Sequence, residues 1–138
     1  MRLALVVLGL MVFAVGSVSA RAEEPLVCNL TALSPAQRER HEALTEMIWK
    51  AVVGQTELPN GYEVTLDLSR LPKDRQGSPF CVVEVAQWVD LEARCCPFLD
   101  FGIDVQGKGG VVKLRLSGGA NVKAFLKEEL SGLRPRHR

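Results

Sequence analysis

Leu58-Pro59-Asn60-Gly61-Tyr62-Glu63-Val64-Thr65-Leu66-Asp67-Leu68 decides the fold class. Asn-Gly after proline is a strong short-range hairpin signal, because both residues tolerate the positive φ of a tight turn. Beyond it Tyr62, Val64, Leu66 and Leu68 alternate with Glu63, Thr65 and Asp67. A period of two marks a strand with one face buried and one in water. Before the turn, Gln55–Leu58 reads as a short, weak partner strand. A second hairpin is expected further on. Phe101, Ile103 and Val105 alternate with polar or glycine positions, 107–110 is a glycine-rich turn, and Val112, Leu114 and Leu116 alternate with Lys113 and Arg115.

Three helices separate these strands. Ser34-Pro35-Ala36-Gln37 combines an N-cap serine, proline at the first helical position and a glutamine that closes a capping box. The first helix is predicted from Pro35 to about Val52, with Gly54 beyond its end. At about 100° per residue, Ala36, Ala43, Leu44, Met47, Ile48 and Ala51 share one arc, and Arg40 falls inside it. The second helix is predicted to open at Ser78-Pro79 and to stop at Cys96, since a residue before proline (Pro97) disfavours helical geometry. The third runs from Val122 to about Leu130, with Gly132 past its end. The order is α-ββ-α-ββ-α. It implies a single α+β domain, a four-stranded antiparallel sheet with helices packed mainly on one face.

The N-terminus reads as an export signal. Arg2 precedes an apolar run from Leu3 to Val15, and small residues follow to Ala20. Val18-Ser19-Ala20 and Ala20-Arg21-Ala22 both fit a small-x-small cleavage site, so cleavage is expected after Ala20 or Ala22. The run is shorter than the roughly 20 residues of a membrane span. Residues 1–20 are thus expected to be a signal peptide, and 21–138 the domain, periplasmic or secreted. The whole chain carries 17 Lys+Arg against 16 Asp+Glu. Such a balance argues against nucleic acid or an anionic membrane as partner after cleavage. No catalytic nucleophile motif is present.

The chemistry gathers at Glu92-x-x-Cys95-Cys96-Pro97-Phe98. Glu92 lies within the apolar arc of the second helix, one turn from both cysteines. A buried carboxylate needs a partner or a proton, and Arg40, the other charge on an apolar arc, is the expected partner. His41 sits at the edge of the first helix's arc and reads as a surface or half-buried residue. Three readings stand. Adjacent thiolates suit a soft ion, Hg(II), Cu(I) or Zn(II), because softness favours sulfur. Cys95 and Cys96 would then be ligands. Cys28 is the expected third, ahead of Cys81, Glu92 or His41, and Glu92 and Arg40 would support them. Alternatively, the four cysteines (Cys28, Cys81, Cys95, Cys96) are buried or bridged in a structural or interaction module, as an oxidising compartment permits. The third reading is a thiol oxidoreductase. Against it, the pair sits at a helix C-terminus and there is no Cys-x-x-Cys.

Several of these residues together resemble a family of small uncharacterised bacterial proteins. They are Cys28-Asn29-Leu30, Arg40, Leu58-Pro-Asn-Gly61, Glu92-Ala-Arg-Cys-Cys-Pro-Phe-Leu-Asp-Phe101, Leu114-x-Leu-x-Gly118 and Phe125-Leu126. The family shares a Glu-x-x-Cys-Cys-x-Phe-x-x-Phe core, and some members are encoded among heavy-metal resistance functions. The resemblance covers nearly all of residues 21–138 and implies metal or metalloid handling. Two departures stand out: the export signal, where many relatives look cytoplasmic, and Cys81 as an extra cysteine.

Overall fold

The computed structural model describes residues 26–74, 76–107 and 110–131. The expected signal peptide and both cleavage positions lie outside the described residues. The elements are α1 (Pro35–Ala51), β1 (Val52–Leu58), β2 (Gly61–Asp67), α2 (Val82–Cys95), β3 (Leu99–Gln106), β4 (Val111–Gly118) and α3 (Val122–Ser131). Two 3-10 turns, Leu30–Ala32 and Leu68–Arg70, precede α1 and follow β2. The order α-ββ-α-ββ-α is the one the sequence implies. All strand pairs are antiparallel in one sheet of order β1-β2-β4-β3.

The alternation sorts the two sheet faces. Tyr62, Val64 and Leu66 on β2 and Val112, Leu114 and Leu116 on β4 are buried. They pair directly across the strands, Val64 opposite Leu114 and Leu66 opposite Val112. The intervening Glu63 and Lys113 face away and form an ion pair at 3.3 Å. Leu44, Ile48 and Ala51 of α1, Val85 and Trp88 of α2 and Leu126 of α3 close over the apolar face. At Gly61 an added Cβ would lie 2.0 Å from the Leu116 carbonyl oxygen. Gly61 therefore serves the close approach of β2 to β4. The turn itself is Pro59-Asn60, with Leu58 paired to Gly61, and neither Asn60 nor Gly61 takes the positive φ expected of an Asn-Gly turn.

Element ends differ from expectation in two places. Gly54 does not separate α1 from the first strand. Val52 already adopts extended geometry, and Gly54 lies inside β1 beside a register shift between Val52 and Gly54. Two β-branched valines favour the strand, and the glycine is absorbed at an irregularity. Secondly, Ser78-Pro79 does not open α2. The Ser78 and Gln76 amides both donate to Asp74 Oδ1, at 2.7 and 2.9 Å, so that segment is folded into a turn of its own. Cys81 is the N-cap instead, its amide donating to Glu84 Oε2 at 2.9 Å.

Candidate thiol and metal site

The last turn of α2 sets Glu92 at i, Cys95 at i+3 and Cys96 at i+4, on one helical face. Cys96 leaves helical geometry before Pro97, while its amide still donates to the Glu92 carbonyl at 2.8 Å. The break brings the two sulfurs to 3.7 Å. Neither cysteine retains measurable exposure.

Cys28 reaches this helix end from the segment ahead of α1 and is disulfide-bonded to Cys96, with Cα atoms 4.6 Å apart. The Asn29 amide donates to the Cys95 carbonyl at 2.7 Å, satisfying one of the carbonyls a helix end leaves open. Asn29 also accepts from the Thr31 amide and hydroxyl, starting the 3-10 turn. Residues 28 to 32 thus form a strap fixed to α2 by one covalent bond and one hydrogen bond. The structure brings together all three cysteines named as metal ligands, but Cys28 and Cys96 are joined to each other and are not free thiolates.

The partner of Glu92 is His41, not Arg40. His41 Nε2 lies 2.5 Å from Glu92 Oε2, with both side chains about 15% exposed. Arg40 is exposed, and its Nε and Nη2 donate to Gln87 Oε1 at 3.0 and 2.8 Å. The reason is rotational. The stripe of α1 that meets α2 is His41, Leu44, Thr45 and Ile48, and Ala36 and Ala43 are exposed, so the arc centre lies one residue past Arg40. His41 stacks on Trp88, with centroids 6.2 Å apart and planes 14° apart. Trp88 Nε1 donates to Thr45 Oγ1 at 2.9 Å, and that hydroxyl donates to the His41 carbonyl at 2.7 Å. The imidazole is therefore held by its carboxylate and the ring beside it, and Thr45 ties that ring to the same turn of α1.

Glu92 Oε1 is 3.2 Å from Cys96 Sγ and Oε2 is 4.0 Å from Cys95 Sγ. Among the described residues two triads share this carboxylate: Cys28, Glu92 and Cys96, and His41, Glu92 and Cys95. Within each, the donor atoms lie within 4.8 Å of one another. Cys81 belongs to neither. It is a free thiol at the other end of α2, contacting Glu84 Oε2 at 3.1 Å.

Burial, and then the charge of Glu92, push the Cys95 thiol above its ordinary value; a backbone hydrogen bond offsets this only in part. The folded state therefore holds this proton more tightly than the unfolded chain does. Its contribution to stability is complete below the unfolded thiol pKa, about 8.5, and is lost as pH rises through the folded value. In urea denaturation of the oxidised protein, stability should decline above about pH 8.5 more steeply than in Cys95→Ala. Parallel declines would mean that Cys95 ionises as freely folded as unfolded.

The cluster forms one wall of a cavity of about 470 Å³. Trp49, Leu116, Phe125, Leu126 and Leu130 contribute apolar surface to it. No sequence period marks this cavity, because its lining comes from the strap, all three helices and the sheet. The chain matches no family model, and no curated protein or solved structure matches it either. No helix among the described residues is long and apolar enough to cross a membrane.

Proposed function

We propose that this is an exported protein, periplasmic or secreted, that binds a soft metal ion at Cys28, Cys96 and Cys95 once the Cys28–Cys96 disulfide is reduced. One observation carries the reading: three sulfurs, an imidazole and a carboxylate converge on one cavity wall. Reduction frees two thiolate ligands beside a third sulfur, and such a set favours Hg(II) or Cu(I), with Zn(II) as the harder alternative. Glu92 and His41 either complete the donor set or orient it through their mutual contact. The heavy-metal association implied by the sequence resemblance belongs to the same proposal. Export rests on the pattern of residues 1–20, and a disulfide suits that compartment.

A second reading has its own support. The Cys28–Cys96 bond and the Asn29–Cys95 hydrogen bond are what a purely structural clasp would need. A thiol oxidoreductase is less favoured, since the free thiol at the cluster is held protonated at a helix C-terminus.

Competition titration with Hg(II) or Cu(I) tests the proposal. Phosphine-reduced protein should bind one equivalent, and Cys28→Ser with Cys96→Ser should weaken binding by at least ~100-fold, as expected for loss of the softest donors. Unchanged binding in that double variant would leave the structural clasp as the reading.

A further inference from the structure

We infer that the cavity beside the disulfide receives a small thiol with an apolar body, which reduces Cys28–Cys96 and so opens the cluster. The inference rests on the reading of the cluster as a site that must be reduced before it takes a metal. It starts from a mismatch: a bare ion needs a few donor atoms, whereas the cluster is set into about 470 Å³ of mainly apolar space. Two further apolar side chains stand at the rim next to Cys28. Val27 is 70% exposed and Leu30 is 49% exposed, and both line the cavity. Exposed apolar groups bordering a concave apolar site mark a place where something apolar binds. The reactive bond on that wall is a disulfide, and the small-molecule group that reacts with it reversibly is a thiol.

The two disulfide sulfurs are not equivalent. Both cysteines line the cavity, but Cys96 is fully buried while Cys28 is the half-buried residue of the pair. The incoming thiol loses its proton to solvent and its sulfur attacks Cys28 Sγ. The Cys28–Cys96 bond breaks, Cys96 leaves with the electron pair, and it takes up a proton from solvent. Glu92 Oε1, 3.2 Å away, then accepts a hydrogen bond from the new Cys96 thiol. A second thiol attacks the outer sulfur of the mixed disulfide on Cys28. It releases the small-molecule disulfide, and Cys28 is protonated. Two thiols are oxidised to one disulfide, and one protein disulfide is reduced to two thiols.

The test uses the oxidised, metal-free full chain and two thiols of similar acidity, phenylmethanethiol and 2-mercaptoethanol. Reduction is followed by alkylation and mass spectrometry of Cys28 and Cys96. Phenylmethanethiol should react at least ~10-fold faster per thiolate, from burial of its ring. Val27→Asp should remove most of that preference, read as the ratio of the two rates, because the new carboxylate slows both thiolates alike and only the phenyl ring loses its apolar rim. Equal rates for the two thiols in the wild-type chain overturn the inference. So does a Val27→Asp variant that keeps the full preference, or a dimer that Val27→Asp dissociates in sedimentation with no thiol preference at all. The latter would assign the rim to a second copy of the chain. Metal titration of phosphine-reduced protein involves no small thiol, so the metal reading and this one can fail separately.

Discussion

Replacing both Cys28 and Cys96 by alanine is expected to lower folding stability by about 4 kcal/mol. The bond closes a loop with a sequence separation of 68, and the loss of unfolded-state entropy grows with the logarithm of that length. The loop spans α1, β1, β2 and α2, so the cross-link restricts more than half of the described fold in the unfolded chain. The folded state loses something too. Without the bond the strap is held by the Asn29–Cys95 hydrogen bond and the burial of Leu33, which is 3% exposed. Urea denaturation of oxidised, dithiothreitol-reduced and doubly substituted protein measures the effect. The reduced and substituted forms should agree within about 1 kcal/mol, because both lack the same closure. A loss under about 1 kcal/mol would mean that the strap adds nothing to the fold, and that the clasp constrains only itself.

Trp88→Ala carries the second large expectation, a loss of about 3–5 kcal/mol. Trp88 is 3% exposed and lies between the site and the core. Its indole stacks on His41 and meets Trp49 and Phe101 edge-on, at 6.4 and 6.2 Å. Truncation removes all three contacts and leaves a void under the imidazole. Trp88→Phe separates the ring from its N–H: the donor to Thr45 Oγ1 is gone, but most of the packing remains. That variant should lose about 1 kcal/mol from the bond, with a further packing cost well below that of alanine. Thermal and urea denaturation of both variants give the comparison. A Trp88→Ala variant as stable as Trp88→Phe would show that the ring does not support the site.

The fold was legible because its signals are local and periodic. The alternation from Tyr62 to Leu68 and that from Val112 to Leu116 each specify geometry over a few residues, and the hairpin between β1 and β2 forms with its turn at Pro59-Asn60. The capping box at Ser34 and Gln37 forms as expected, with the Gln37 amide 3.3 Å from Ser34 Oγ. Competing local signals blurred the boundaries. Ser78-Pro79 has the composition of a helix start, but Asp74 takes the Ser78 amide and the helix waits for Cys81. Within the site, Glu92, Cys95 and Cys96 could be placed together because they share one helical turn. Their partners lie on other elements. A step of about 100° per residue separates Arg40 from His41, and counting Ala36 and Ala43 in the apolar arc turned it toward Arg40 and left His41 at the edge. Only packing against α2 fixed the seam at His41, Leu44, Thr45 and Ile48. Cys28 lies in a segment without periodicity, so nothing in the sequence brought it to Cys96 in particular. The cavity is assembled from distant elements and has no linear signature.

Native mass spectrometry of the full chain with Hg(II), in the presence of iodide as a competing ligand that does not reduce disulfides, tests the redox-gated metal site most directly. Protein reduced with a phosphine should carry one Hg(II) per chain, and oxidised protein should carry none. Equal loading of the two forms, or loading that persists when Cys28 and Cys96 are both serine, would contradict it.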